Sequence, residues 1–92
     1  MAIPRVSVSG VLAADTAVKA TSGAVYWITV SDTAALAIEL NNSTANGGTD
    51  LWAIDLPTGG YLHAIFNPPL PFDIGIYLDV STTSCKVTVG YV

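Results

Sequence analysis

The chain has 92 residues, of which 51% are hydrophobic and 11% charged; three basic residues stand against seven acidic ones, for a net charge of −4. That length supports one small domain, and the hydrophobic content excludes intrinsic disorder, which needs low hydrophobicity with high net charge. Arg5, Lys19 and Lys86 are scattered, so no basic stripe exists to neutralise phosphates or dock on an anionic bilayer, and partners made of nucleic acid or membrane are not expected.

Period-two alternation runs through most of the sequence, which is the signal of strands. The first run, Val6 to Leu12, alternates with Ser7 and Ser9. That interruption and the single preceding base predict a strand here, not a cleaved leader. A short element follows around Val18 to Ala20, although Val11 to Ala20 also admits a helix capped by Asp15 or Thr16. Ala24 to Val30 is rich in β-branched and aromatic residues, and adjacent Tyr26 and Trp27 are expected on opposite faces. Ala35 to Leu40 and Leu51 to Leu56 alternate cleanly, with Trp52, Ile54 and Leu56 on one side. Tyr61 to Phe66 sets Leu62, Ala64 and Phe66 against Tyr61, His63 and Ile65. Ile74 to Val80 and Cys85 to Tyr91 complete the set.

The intervening segments carry turn chemistry. Asn41 to Gly48 is a polar loop, and Pro57-Thr58-Gly59-Gly60 a tight turn. Asn67-Pro68-Pro69-Leu70-Pro71 lacks a donor at three positions, so it is expected to cross between sheets. Seven or eight short strands at this spacing predict an all-β fold: a compact antiparallel β-sandwich, jelly-roll-like, forming a single domain over residues 1–92 with residues 1–5 as an arm. No run of about 18 apolar residues offers a transmembrane helix.

Little in the sequence points to catalysis, and no enzymatic activity, cofactor or metal is expected. His63 is the sole histidine and Cys85 the sole cysteine, too few for a zinc site or a base-activated nucleophile; Cys85 reads as a small buried hydrophobe. Glu39 and Asp55 lie mid-strand, where carboxylates mark a solvent face or guard an edge. Asp15, Asp32, Asp50 and Asp73 fit turn positions. With so few lysines, the sandwich edges are expected to lack the usual protection and to be covered by identical copies.

The segments Asn46-Gly47-Gly48-Thr49, Leu51-Trp52-Ala53-Ile54, Pro71-Phe72, Gly75-Ile76-Tyr77-Leu78-Asp79-Val80 and Val87-Thr88-Val89 with Tyr91 together resemble small virion proteins of tailed bacteriophages, most of all head decoration (cement) proteins. The resemblance spans most of residues 10–92. It implies a structural protein made in the bacterial cytoplasm and carried on the outer surface of the head. There it would bind the major capsid protein at capsomer junctions as a homo-oligomer, a trimer in preference to a dimer. Interface candidates are Met1, Ala2, Ile3, Pro4 and Arg5 as a clamp, with Trp27, Tyr61, His63 and Tyr77. The alternatives are a tail- or fibre-associated virion component and a carbohydrate-binding β-sandwich, which would need two or three coplanar aromatics on one exposed face, with Trp27, Tyr61 and Tyr77 as the candidates.

Overall fold

In the computed structural model, residues 5–92 are described. Eight strands run in chain order: β1 (Ser7–Val8), β2 (Thr16–Lys19), β3 (Gly23–Asp32), β4 (Leu36–Asn42), β5 (Thr49–Leu56), β6 (Tyr61–Phe72), β7 (Ile76–Val80) and β8 (Cys85–Tyr91). They form two four-stranded antiparallel sheets, ordered β1-β8-β3-β6 and β2-β7-β4-β5. That order is the jelly roll, in which the chain passes repeatedly between two stacked sheets.

The alternation explains the core. Val25, Ile28 and Val30 of β3 and Val87 and Val89 of β8 point inward from the first sheet. Leu36, Ile38 and Leu40 of β4 and Ile76 and Leu78 of β7 meet them from the second, with Phe72 closing one end. Cys85 is buried among them, its thiol donating to the Thr82 carbonyl at 3.4 Å. Burial first, and then the nearby Asp32 charge, pushes that thiol up from its ordinary value. Trp52 and Phe66 meet edge to face, 6.0 Å between centroids, on the side of the sandwich where β5 and β6 leave Ile54, Leu56 and Ala64 only half-buried.

Several local expectations need correction. The first run is not one strand: Gly10 takes φ +78°, ending β1 after two residues, and Leu12 then makes an isolated bridge to Val87. Val11–Ala20 contains no helix, because Thr16 to Lys19 pair with β7 instead. The proline segment does not leave its sheet. Pro68, Pro69 and Pro71 all lie within β6, and Leu70, Pro71 and Phe72 still pair with Val25, Ala24 and Gly23. Since β6 is an edge strand, the missing donors cost no ladder bond on its free side. Asn67–Pro68 is cis. Asn41 and Asn42 belong to β4, and Asn41 is buried rather than part of a surface loop.

The edges are also better guarded than lysine content implies. β1 is two residues long, and β2 is four, with an irregularity between Ala17 and Lys19 and Lys19 itself at its end. β6 carries its prolines. Among the described edge strands, β5 alone combines length with the absence of proline and lysine throughout; a bulge at Leu51 interrupts its start, leaving Trp52 to Leu56 regular. These are recognised ways to keep a strand from recruiting another chain.

Candidate functional site

The outer face of the β1-β8-β3-β6 sheet is built in rows fixed by register. Val8 lies beside Gly90, Gly90 beside Trp27, and Trp27 beside Ile65, giving one apolar row across the whole sheet. The next row is Thr88, Thr29 and His63, and the one after it Lys86, Ser31 and Tyr61. Val8 is 59% exposed, Ile65 72% and Tyr61 83%.

Two local devices shape this face. The first is Gly90. A Cβ there would run into the Trp27 indole, so the glycine lets the ring lie down on the backbone of β8; an isolated glycine in a strand commonly marks such a close approach. The second is a bulge. Val25 pairs with Tyr91 and Trp27 with Gly90, so Tyr26 is an extra residue on β3. Opposite it on β6, the segment Phe66 to Pro69 loops out between Ile65 and Leu70. A bulge interrupts alternation and re-aims side chains, and Tyr26 and Trp27, expected on opposite faces, line the same groove.

That groove measures about 540 Å³ and is bordered chiefly by Trp27, Tyr26, His63, Ile65, Thr29 and Asn67. Thr29 Oγ1 and His63 Nδ1 share a hydrogen bond at 2.6 Å, which fixes the imidazole 6.0 Å from the indole, centroid to centroid. The walls are apolar and aromatic, and the polar groups are few: the imidazole, the Thr29 hydroxyl and the Asn67 amide. Such a surface binds by contact area and ring stacking.

Of the residues singled out from sequence, Trp27 and His63 meet in this groove, and Tyr61 stands two residues from His63 on the same face. Tyr77 does not join them. It lies on β7 in the other sheet, beside Ala17 and Asn41, so Trp27, Tyr61 and Tyr77 cannot form one platform. Arg5 is exposed ahead of β1; Met1, Ala2, Ile3 and Pro4 lie outside the described residues. Sequence reading missed Tyr26, Thr29, Ile65 and Asn67 as groove residues, and of the structural signals only Gly90, a glycine inside an otherwise strong strand pattern, was visible beforehand.

The opposite outer face is acidic. Glu39 sits beside Asp79 on one side and Ala53 on the other. Its carboxyl is held above the ordinary range, first by the hydrogen bond it shares with Asp50, then by desolvation and by the charges of Asp50 and Asp79. Asp79 is also raised, chiefly by desolvation and then by the charge of Asp15, whose own carboxylate accepts the Val80 N–H at 2.8 Å. Beneath them Asn41, 1% exposed, donates its amide to the Asp50 carboxylate, while its Oδ1 has no partner among the described residues. Among the described residues no group of three or more His, Cys, Asp or Glu is arranged to hold a metal ion.

No protein-family model, curated protein or solved structure matches the chain.

Asp32 has a different part. It is buried at the end of β3, and its carboxylate accepts the Gly60 N–H at 2.9 Å while its own N–H donates to the Gly60 carbonyl at 3.0 Å. It thereby pins the Pro57–Gly60 turn that carries the chain from β5 into β6, with Gly59 at φ +75°. This is a structural carboxylate that holds the start of the strand bearing Tyr61 and His63.

Proposed function

We propose that this chain is a structural virion protein of a tailed bacteriophage, a head decoration protein that lies on the outer shell and contacts the major capsid protein through the Trp27 face. One observation carries the reading: the apolar row Val8–Gly90–Trp27–Ile65 and the groove beside it occupy one outer face, while the carboxylates Glu39, Asp50 and Asp79 gather on the other. A contiguous exposed apolar patch of this kind is the mark of an interaction surface, and its aromatic members are the side chains that dominate binding energy. The jelly roll suits the role, since it recurs in viral capsid proteins, and the resemblance of most of residues 10–92 to small virion proteins points the same way.

The mechanism is physical. A copy that binds only the expanded shell stabilises that state by mass action, and many weak sites add up against internal pressure. Pairing of the acidic face with water and of the Trp27 face with the shell orients each copy. The test is co-sedimentation of the purified protein with empty expanded heads, and with unexpanded precursors, of the phage that encodes it. Wild type is expected to pellet with expanded heads alone, and Trp27→Ala, correctly folded by circular dichroism, to stay in the supernatant. A folded wild-type protein that ignores both particles overturns the proposal.

A glycan-binding reading has one observation in its favour, the convergence of Trp27, Tyr26, His63 and Asn67 on a single groove, because sugars stack on aromatic rings and hydrogen-bond to flanking polar groups. Binding to a glycan array that Trp27→Ala abolishes, with no binding to heads, would select it.

A further inference from the structure

The side of the sandwich away from β1 and β2 ends in β5, whose outer edge is unpaired among the described residues. Hydrogen bonds on the far side of its neighbour β4 fix which of its backbone groups are free. Ala37 donates to Ser81 Oγ at 2.9 Å and accepts from the Ser81 N–H at 3.0 Å, so its peptide groups face β7. By alternation, Glu39 also faces β7, whereas Ile38 and Leu40 face β5. Their partners Ile54 and Trp52 therefore point N–H and C=O toward β4, and Ala53 and Asp55 point theirs at the open edge.

We infer that β5 pairs antiparallel with β5 of a second copy about a two-fold axis at Ile54, joining the two β2-β7-β4-β5 sheets into one continuous sheet. This inference rests on the self-association that the resemblance to decoration proteins implies, and it adds the surface and the register. The regular run Trp52-Ala53-Ile54-Asp55-Leu56 reads the same way in both directions by type: apolar, outward, apolar, outward, apolar. With Ile54 opposite Ile54, Ala53 lies opposite Asp55 twice, and these are the residues whose backbone groups are free. Trp52 lies opposite Leu56, so half-buried apolar side chains cover one another at the mouth of the sandwich.

Other registers are worse. A slip by an odd step in the pairing sum sends inward residues opposite outward ones. Centring on Asp55 opposes two carboxylates. Centring on Ala53 places the bulged Leu51 opposite Asp55, and centring on Leu56 runs into Pro57. A two-fold pairing is isologous and closes on itself, so the unit is a dimer in place of the trimer that the phage resemblance implies. Of the other edges, β1 is two residues long, β2 is short and irregular, and β6 is broken by three prolines in its second half.

Sedimentation of the wild-type chain, whose monomer is 9.5 kDa, is expected to give a dimer at micromolar concentration. Ala53→Pro removes only an outward-facing donor and is expected to fold and run as a monomer; Ala53→Lys, a charge at the same edge, serves if the proline variant does not fold. Ile54→Cys is expected to form a disulfide-linked dimer under mild oxidation, because directly opposed residues of a non-hydrogen-bonded pair come within about 4.5 Å Cα to Cα, inside disulfide reach. A folded Ala53 variant that stays dimeric, or a folded Ile54→Cys protein that does not cross-link, overturns the β5 assignment and leaves the decoration reading standing. A monomeric wild type removes self-association altogether.

Discussion

The two outer faces of this sandwich are made by the same device, alternate residues on four antiparallel strands, yet they differ in every physical respect. On the β1-β8-β3-β6 sheet the outward positions include Val8, Trp27, Thr29, Ser31, Tyr61, His63, Ile65 and Thr88, with Lys86 as a charge at one corner. On the β2-β7-β4-β5 sheet they include Glu39, Asp50, Asp55 and Asp79. A water-facing sheet surface is expected to be polar, and the acidic face meets that expectation even at the expense of crowding its carboxylates. The aromatic face does not, and that departure is what the proposed contact with the shell rests on. The net charge of −4 is thus unevenly placed, and an averaged figure conceals the polarity of the molecule.

The largest expected effect comes from disturbing what lies under the acidic face. Asn41 is buried and gives its amide proton to Asp50. Asn41→Asp replaces that donor with a second carboxylate, and an uncompensated buried charge of this kind costs about 3 kcal/mol at neutral pH. Urea denaturation measures the loss. Acidification should restore part of it, because a protonated carboxyl can donate the bond again. Equal stability of the variant at pH 7 would mean that Asn41 does not anchor this face.

An intermediate effect is expected on the aromatic face. Gly90→Ala sets a methyl group against the Trp27 indole, and the ring must rise from the sheet. Forcing a carbon into a filled contact costs about 1–3 kcal/mol, and the Trp27 contribution to fluorescence should move to the red as the ring gains water. The same variant should lose binding to expanded heads, since the apolar row is broken at its centre. Unchanged fluorescence would show that Trp27 does not lie on Gly90.

How these faces arise was only partly legible in the sequence. The strands, their inward residues and the stacking of two sheets follow from alternation, because the period of two is set by the backbone itself. Which strands neighbour which does not follow. Tyr61 and Tyr77 have equally good claims to an exposed position, and only the crossing of the chain between sheets separates them. The groove depended on the bulge at Tyr26, where one extra residue overrides the alternation that had sent Tyr26 and Trp27 apart. A missing donor forbids an interior strand, so the prolines of β6 predict a crossover; the sequence does not disclose that β6 is an edge, where the objection lapses. Glu39 and Asp79, forty residues apart, became neighbours by the pairing of β4 with β7, so the crowding of charge was likewise a product of topology.

That crowding gives the smallest effect and the sharpest contrast between the faces. Glu39 and Asp79 both hold their protons more tightly in the folded chain than carboxylates ordinarily do. A raised folded pKa means that the native state binds protons more tightly than the unfolded chain, so this pair favours folding most at low pH and progressively less as pH rises through the raised values. Between neutrality and roughly pH 5, just above the ordinary carboxylate range, the melting temperature should therefore climb slightly as the solution is acidified. The shift should be modest because the groups are near solvent, where water and salt screen them. Glu39→Gln removes the centre of the cluster; it should raise the melting temperature at pH 7 and reduce the acid-side climb, while leaving unchanged the head binding proposed for the Trp27 face. A variant that kept the full climb would place its origin elsewhere than at Glu39, and one that lost binding to heads would assign the shell contact to the acidic face.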